Sequence, residues 1–162
     1  KSYCMTGWRL GYCGAHKDII SGMNKIQSQS NSSTSSISMA AAVEALNGPQ
    51  DFINEHNKHF NKRRDMVVSK LNSIEGISCT TPEGAFYVYP NCKDIIGKRT
   101  DKGEEIKSDE DFMNYLLDSE GVAGVHGAAF GLSPYFRLSY ATSEKILQDA
   151  CNRIERACNK LK

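Results

Sequence analysis

The chain has almost no net charge: 20 Lys and Arg stand against 19 Asp and Glu, a formal balance of +1. That near-neutrality gives no electrostatic case for nucleic acid or an anionic membrane surface as a partner. No apolar run approaches the ~20 residues of a membrane-spanning helix, and no secretory pattern opens the chain. None of the six cysteines forms a C-x-x-C pair or stands near a histidine at zinc-ligand spacing, so no metal site is expected. Cys151 and Cys158 fall on one face of an expected helix, too far apart for a bridge within it. Unpaired thiols in a chain of this size fit a reducing cytosol, so a cytoplasmic location is expected. Each cysteine is read as a small buried or half-buried apolar residue. There is no internal repeat.

What remains is an ordinary soluble composition, 40% apolar over 162 residues, long enough for a real core. Trp8 to Cys13 reads as a short strand closed by Gly14. Ile19, Ile20, Met23 and Ile26 fall at helical spacing over Asp18–Lys25 and just beyond. Gln27 to Ser38, rich in Ser, Thr and Asn, has the composition of a flexible linker, but it leads into Ile37–Leu46, a strong helix former with a serine cap. Asn47-Gly48-Pro49 stops that helix. Asp51 to Ile74 is the clearest periodic element, with Phe60, Val67, Leu71 and Ile74 on its apolar face and Gly76 at its C-cap. Ser78–Thr81 and Ala85–Tyr89 read as strands. Asn91–Ser108, charged and poor in apolar residues, reads as an exposed mobile loop. Ser108-Asp-Glu-Asp111 resembles a capping box opening a helix through Phe112, Met113, Leu116 and Leu117, stopped by Gly121. Strands over Val122–Val125 and Tyr135–Tyr140 follow. The last helix, Ser143–Leu161, buries Ile146, Leu147, Ala150, Ile154, Ala157 and Leu161. Strands, helix, strands, helix from residue 75 onward describe an α+β layer.

Three segments carry chemistry. The first is Lys1-Ser-Tyr-Cys-Met-Thr-Gly-Trp-Arg-Leu-Gly11. The second is Thr81-Pro-Glu-Gly-Ala-Phe-Tyr-Val-Tyr-Pro90. The third is Gly124-Val-His-Gly-Ala-Ala-Phe-Gly131 followed by Tyr135-Phe-Arg-Leu-Ser-Tyr-Ala-Thr142. Together they resemble the C-terminal half of the fold-type I aminotransferases that use pyridoxal 5′-phosphate (PLP), class I, with the bacterial-type aspartate aminotransferases as the nearest subgroup. The resemblance implies an α/β fold with an α+β small domain. It assigns residues 1–50 to the tail of the large PLP-binding domain, 51–74 to a connecting helix and 75–162 to the small domain.

By the same resemblance, Lys1 is the catalytic lysine that bonds PLP through its aldehyde. Arg9 binds the cofactor phosphate, for which a guanidinium fork suits better than an ammonium. Arg137 binds the substrate α-carboxylate in a two-pronged ion pair. His126 departs from the pattern, where the family usually has proline, and no catalytic role is assigned to it. The substrates implied are an amino acid, aspartate among the candidates, and a 2-oxo acid; the assembly implied is a homodimer. The family's acid for the pyridine nitrogen and its glycine-rich phosphate loop precede the lysine, so this chain is expected to be an inactive portion of an active enzyme. Two other readings stay open: a carbon–sulfur lyase of the same fold, and a non-catalytic aminotransferase-like sensor domain.

Overall fold

The computed structural model describes residues 1–162, which form two compact units, Lys1–His56 and Asn57–Lys162. In the first unit a 3-10 turn, Thr6–Trp8, ends where Arg9 takes a left-handed conformation (φ 51°, ψ 47°). Helix α1 spans Lys17–Ser30 and α2 spans Ser36–Asn47. The strand expected over Trp8–Cys13 does not form. The only ladders and bridges lie between residues 78 and 139, so its amides find no partner strand; Trp8 instead closes the 3-10 turn and Arg9 turns left-handed. The polar stretch 27–38 is not a linker either. Gln27–Ser30 is the last turn of α1 and Ser36–Ser38 the first turn of α2, because helix propagation outweighs the weak propensity of serine. Ser35 occupies the N-cap of α2 without a side-chain capping bond. Ser38 is buried and donates to the Trp8 carbonyl at 2.9 Å, tying α2 to the N-terminal turn. Tyr3 donates to Gln50 Oε1 at 3.0 Å, and its ring meets that of Phe52 at 6.2 Å.

Helix α3, Asp51–Asn72, runs from the first unit into the second and buries Val67, Val68 and Leu71 near its C-terminal end. Asn72 closes it from both sides: its amide donates to the Cys79 carbonyl (2.9 Å) and its Oδ1 accepts from the Cys79 amide (2.7 Å). Gly76 then turns the chain at φ +87°, where a Cβ would come within 2.7 Å of Ile95 Cδ1.

The sheet of the second unit has three antiparallel strands in the order β1-β3-β2: Tyr87–Val88, Phe136–Ser139 and Val125–His126. Val88 faces Leu138, and Val125 faces Arg137. Strand alternation sends fully buried Phe136 into the core and leaves Arg137 half-buried on the other face. The strands are shorter than expected. Ser78 makes only an isolated bridge to Asn91, and Val122–Gly124 stays outside the ladder. Helices α4, Asp109–Glu120, and α5, Glu144–Lys160, complete the unit. Phe112 of α4 meets Phe136 edge-on at 5.5 Å, and Tyr115 donates to the Ala157 carbonyl of α5 at 3.0 Å. Glu120 joins the two helices further, accepting from Arg156 (2.8 Å) and Lys160 (2.9 Å). Within α5, Leu147, Cys151, Ile154, Ala157 and Cys158 are buried, but Ile146 is 58% exposed, against expectation. It sits one position, ~100° of helix, from the buried stripe.

The segment 91–108 is not an exposed mobile loop. Cys92 and Ile95 are fully buried, with Ile106 close behind. Arg99 and Lys162 exchange backbone hydrogen bonds at 2.8 and 2.9 Å, and Gly97 donates to the Ile106 carbonyl at 2.8 Å. Three apolar anchors and these pairings suffice to order a segment whose average composition is polar.

Candidate functional site

In the first unit, Lys1 and Arg9 line one cleft of about 620 Å³, together with Thr6, Tyr12 and residues 42, 45 and 46 of α2. The 3-10 turn Thr6–Trp8 brings them to one place. The left-handed backbone of Arg9 folds its guanidinium back on that turn, where Nη1 donates to the Thr6 carbonyl at 3.2 Å. The remaining donors of the exposed fork point to no acid, since Arg9 takes part in none of the ion pairs. The cleft is thus lined by a primary amine and a guanidinium. That donor set suits a molecule with an electrophilic carbonyl and an anionic group.

In the second unit, Arg137 lies on β3 between two rings. Its guanidinium carbon is 4.5 Å from the centroid of Tyr87 and 4.4 Å from that of Phe130. Cation–π attraction holds the plane, and no carboxylate of the chain pairs with it. A guanidinium packed over rings keeps the N–H groups of its edge for a carboxylate, which they bind in two-pronged fashion.

Phe130 ends a 3-10 turn, Gly127–Phe130, on the loop that feeds β3. Glycine is required at 127: a Cβ there would meet the Leu132 carbonyl oxygen at 2.0 Å and that of Tyr135 at 2.7 Å. Gly127 donates to the Tyr135 carbonyl and accepts from the Tyr89 hydroxyl at 3.2 Å. The Tyr89 ring stacks on Tyr135 (5.7 Å, 16°) and meets Phe130 edge-on at 6.3 Å. Burial first, and then the charge of Asp109, push the Tyr89 phenol up, with Arg137 pulling the other way; it stays a donor at neutral pH.

Beneath this loop is Asp109, the first residue of α4, 1% exposed. Its carboxylate accepts from the Ala128 amide at 2.8 Å and from Ser133 Oγ at 2.5 Å. Burial works to raise its pKa, but hydrogen bonds from Ser133 and from backbone amides outweigh it and hold the carboxyl below the usual 3.8. Sequence reasoning treated Asp109 only as part of the helix-opening run Ser108–Asp111. That reading holds locally: Ser108 accepts from the Asp111 amide at 3.1 Å, and Asp111 accepts from the Lys107 amide at 3.0 Å. No spacing signal ties Asp109 to partners 19 and 24 residues away. Tyr87 and Phe130 were also missed as neighbours of Arg137, although both lie in the segments singled out. His126 pairs with Phe136 in the β2–β3 ladder and is half-buried.

The family model described as aminotransferase class I and II matches residues 1–154. A probable aspartate/prephenate aminotransferase of Rhizobium leguminosarum bv. phaseoli is 58% identical over the whole chain, which spans 40% of that relative. An aspartate aminotransferase of Rhizobium meliloti (strain 1021) is 54% identical over 161 residues, 99% of this chain and 39% of its own length. The crystal structure of the Rhizobium meliloti aspartate aminotransferase superposes with a TM-score of 0.93 over all of this chain and 40% of that one, at 54% identity. The alanine aminotransferase of Pyrococcus furiosus matches with a TM-score of 0.82 at 31% identity, over 98% of this chain and 40% of its own. The chain thus spans about two-fifths of the length of the curated relatives it matches.

Proposed function

The chain belongs to the class I and II aminotransferases, and from that premise we propose that the protein it forms part of transfers an amino group between an amino acid, with aspartate as a donor, and a 2-oxo acid. The order of its three motifs supports reading it as the C-terminal portion of such an enzyme, with residues 1–50 as the tail of the large domain, 51–74 as the connecting helix and 75–162 as the small domain. The observation that carries the functional reading is the pair of cationic devices built by separate motifs: Lys1 with Arg9 in one cleft, and the ring-gripped Arg137.

The cleft residues fit PLP. Its phosphate needs a cationic fork, which Arg9 offers, and its aldehyde needs an amine, which Lys1 offers. When bound, PLP supplies the aldehyde that exchanges amines and a ring that withdraws electrons. Lys1 Nζ is the group that moves the proton at the substrate Cα. Arg9 holds the phosphate from one side. Arg137 fixes the substrate α-carboxylate, which orients the Cα–H bond for that transfer.

Association as a homodimer belongs to the same proposal. It is supported by the apolar side chains that α1 and α2 leave uncovered, among them Ile19, Ile26, Ile37 and Val43. A reducing, cytoplasmic setting is supported by six unpaired thiols; no helix is long and apolar enough to cross a membrane.

The test uses the full-length protein with aspartate and 2-oxoglutarate. Oxaloacetate and glutamate formation is expected, whereas release of a thiol, pyruvate and ammonia from a cysteine thioether in a parallel assay, with no amino transfer from aspartate, would identify a carbon–sulfur lyase. Arg137→Ala should lower kcat/KM by about 2–3 kcal/mol of transition-state binding, on the order of a hundredfold, through loss of a charge-assisted bidentate contact. PLP binding, read from its absorbance, should be unchanged. An unaltered kcat/KM, or a parallel loss of PLP, would remove the assigned role.

A further inference from the structure

The Arg137 guanidinium lies over the rings of Tyr87 and Phe130 at 4.5 and 4.4 Å, so whatever holds the rings also helps to set the direction of its N–H groups. Tyr87 is its neighbour across the sheet, on β1. Phe130 is different: it sits on a loop, half exposed, with no ladder to fix it. Its position depends on how the Gly127–Pro134 loop is pinned. Three bonds within and beside the loop close it, from Gly127 to the Tyr135 carbonyl, from Gly131 to the Ala128 carbonyl and from Leu132 to the Gly127 carbonyl. One group from outside reaches both arms of the loop at once. The Asp109 carboxylate accepts from the Ala128 amide with one oxygen and from Ser133 Oγ with the other. A buried acid that spends both oxygens on one loop is a costly way merely to begin a helix, and Ser108 already caps α4.

We propose that Asp109 is a positioning residue for substrate carboxylate binding: its carboxylate clamps the Gly127–Pro134 loop, and the clamped loop lays Phe130 on the Arg137 guanidinium. The inference rests on the carboxylate role proposed for Arg137. Asp109 touches no reacting atom. Replacing it by asparagine removes the charge and turns one acceptor oxygen into a donor, so Ser133 Oγ has to accept where it donated and both bonds lose their charge assistance. The clamp on the loop weakens, Phe130 moves off the guanidinium, and Arg137 loses the rigid face that aims it.

The test is made on the PLP-loaded full-length protein with maleate, an unreactive dicarboxylate, as the probe, and its Kd read by calorimetry. Asp109→Asn should raise that Kd about tenfold, and KM for aspartate should rise in step with the Kd while kcat stays within about twofold of wild type, the pattern of uniform binding loss. Phe130→Leu should do the same without disturbing the buried carboxylate, and Ser133→Ala, which keeps the Ala128 bond, should have a smaller effect of the same kind. These two carry the test if Asp109→Asn does not fold. The decisive comparison is the double variant Asp109→Asn with Arg137→Ala: it should bind maleate no more weakly than Arg137→Ala alone, since one acts through the other. Losses that add in the double variant, or wild-type affinity in both Phe130→Leu and Asp109→Asn, overturn the positioning role while leaving Arg137 as the carboxylate ligand. Wild-type affinity in Arg137→Ala overturns the underlying reading, and this inference with it.

Discussion

At the scale of single residues, burial decides what chemistry a side chain can do. Cys79, Cys92, Cys151 and Cys158 are buried, whereas Cys4 and Cys13 are exposed. The expectation of six small apolar residues therefore holds for four of them. Burial pushes the Cys79 thiol up to about 11 and those of Cys92 and Cys158 up to about 12, and it raises Cys151 as well. These four stay protonated, and so unreactive, at pH 8. The linkage sign follows from the direction of the shift. A thiol whose folded pKa is raised contributes stability fully present below its unfolded value, near 9.0, and lost as pH climbs through about 11 to 12. A thiol reagent at pH 8 should thus modify none of the four until denaturant is added, and the denaturation midpoint should fall steadily as pH rises above 9.0. Ready modification of any of them in the native state would contradict the packing described.

At the scale of elements, pattern was a sound guide to helices and a poor one to everything between them. All five helices appear, because apolar periodicity, caps and stop signals are local and agree with one another. The segment 91–108 shows where this logic stops. Its average polarity hides Cys92, Ile95 and Ile106, three anchors that no period connects. What orders it is pairing with distant backbone, such as Arg99 with Lys162. Hydrogen exchange should accordingly find the amides of Gly97, Arg99 and Ile106 protected to nearly the level of α4. Exchange there as fast as in a free loop would restore the mobile reading.

At the scale of the whole molecule, the two units differ in kind. Every buried apolar side chain lies at residue 67 or beyond, while the only buried residue of the first unit is Ser38. Apolar burial is the main favourable term in folding. Residues 57–162 should therefore fold cooperatively when expressed alone, with a single urea transition. Residues 1–56 alone should show neither a cooperative transition nor PLP binding that depends on Lys1. A cooperative melt for 1–56, or a molten 57–162, would refute this division. Chromatography with light scattering on the full-length protein, expected to give a dimer, checks the proposed assembly at the same scale.

The sequence by itself determined the family, the helices, and the three segments from which the proposed site is drawn, because each of these is written in residue types at short, constant spacing. Lys1 and Arg9 are one such spacing, and Arg137 lies in another. Only the tertiary structure decided that Trp8–Cys13 is no strand, that 91–108 is ordered, that Ile146 faces water, and that Asp109 reaches Ala128 and Ser133. Each of those outcomes turns on a partner far along the chain, or on its absence. A backbone amide, a half-hidden isoleucine or a buried carboxylate takes its state from what the fold sets against it, and that neighbour is not encoded in the residues beside it.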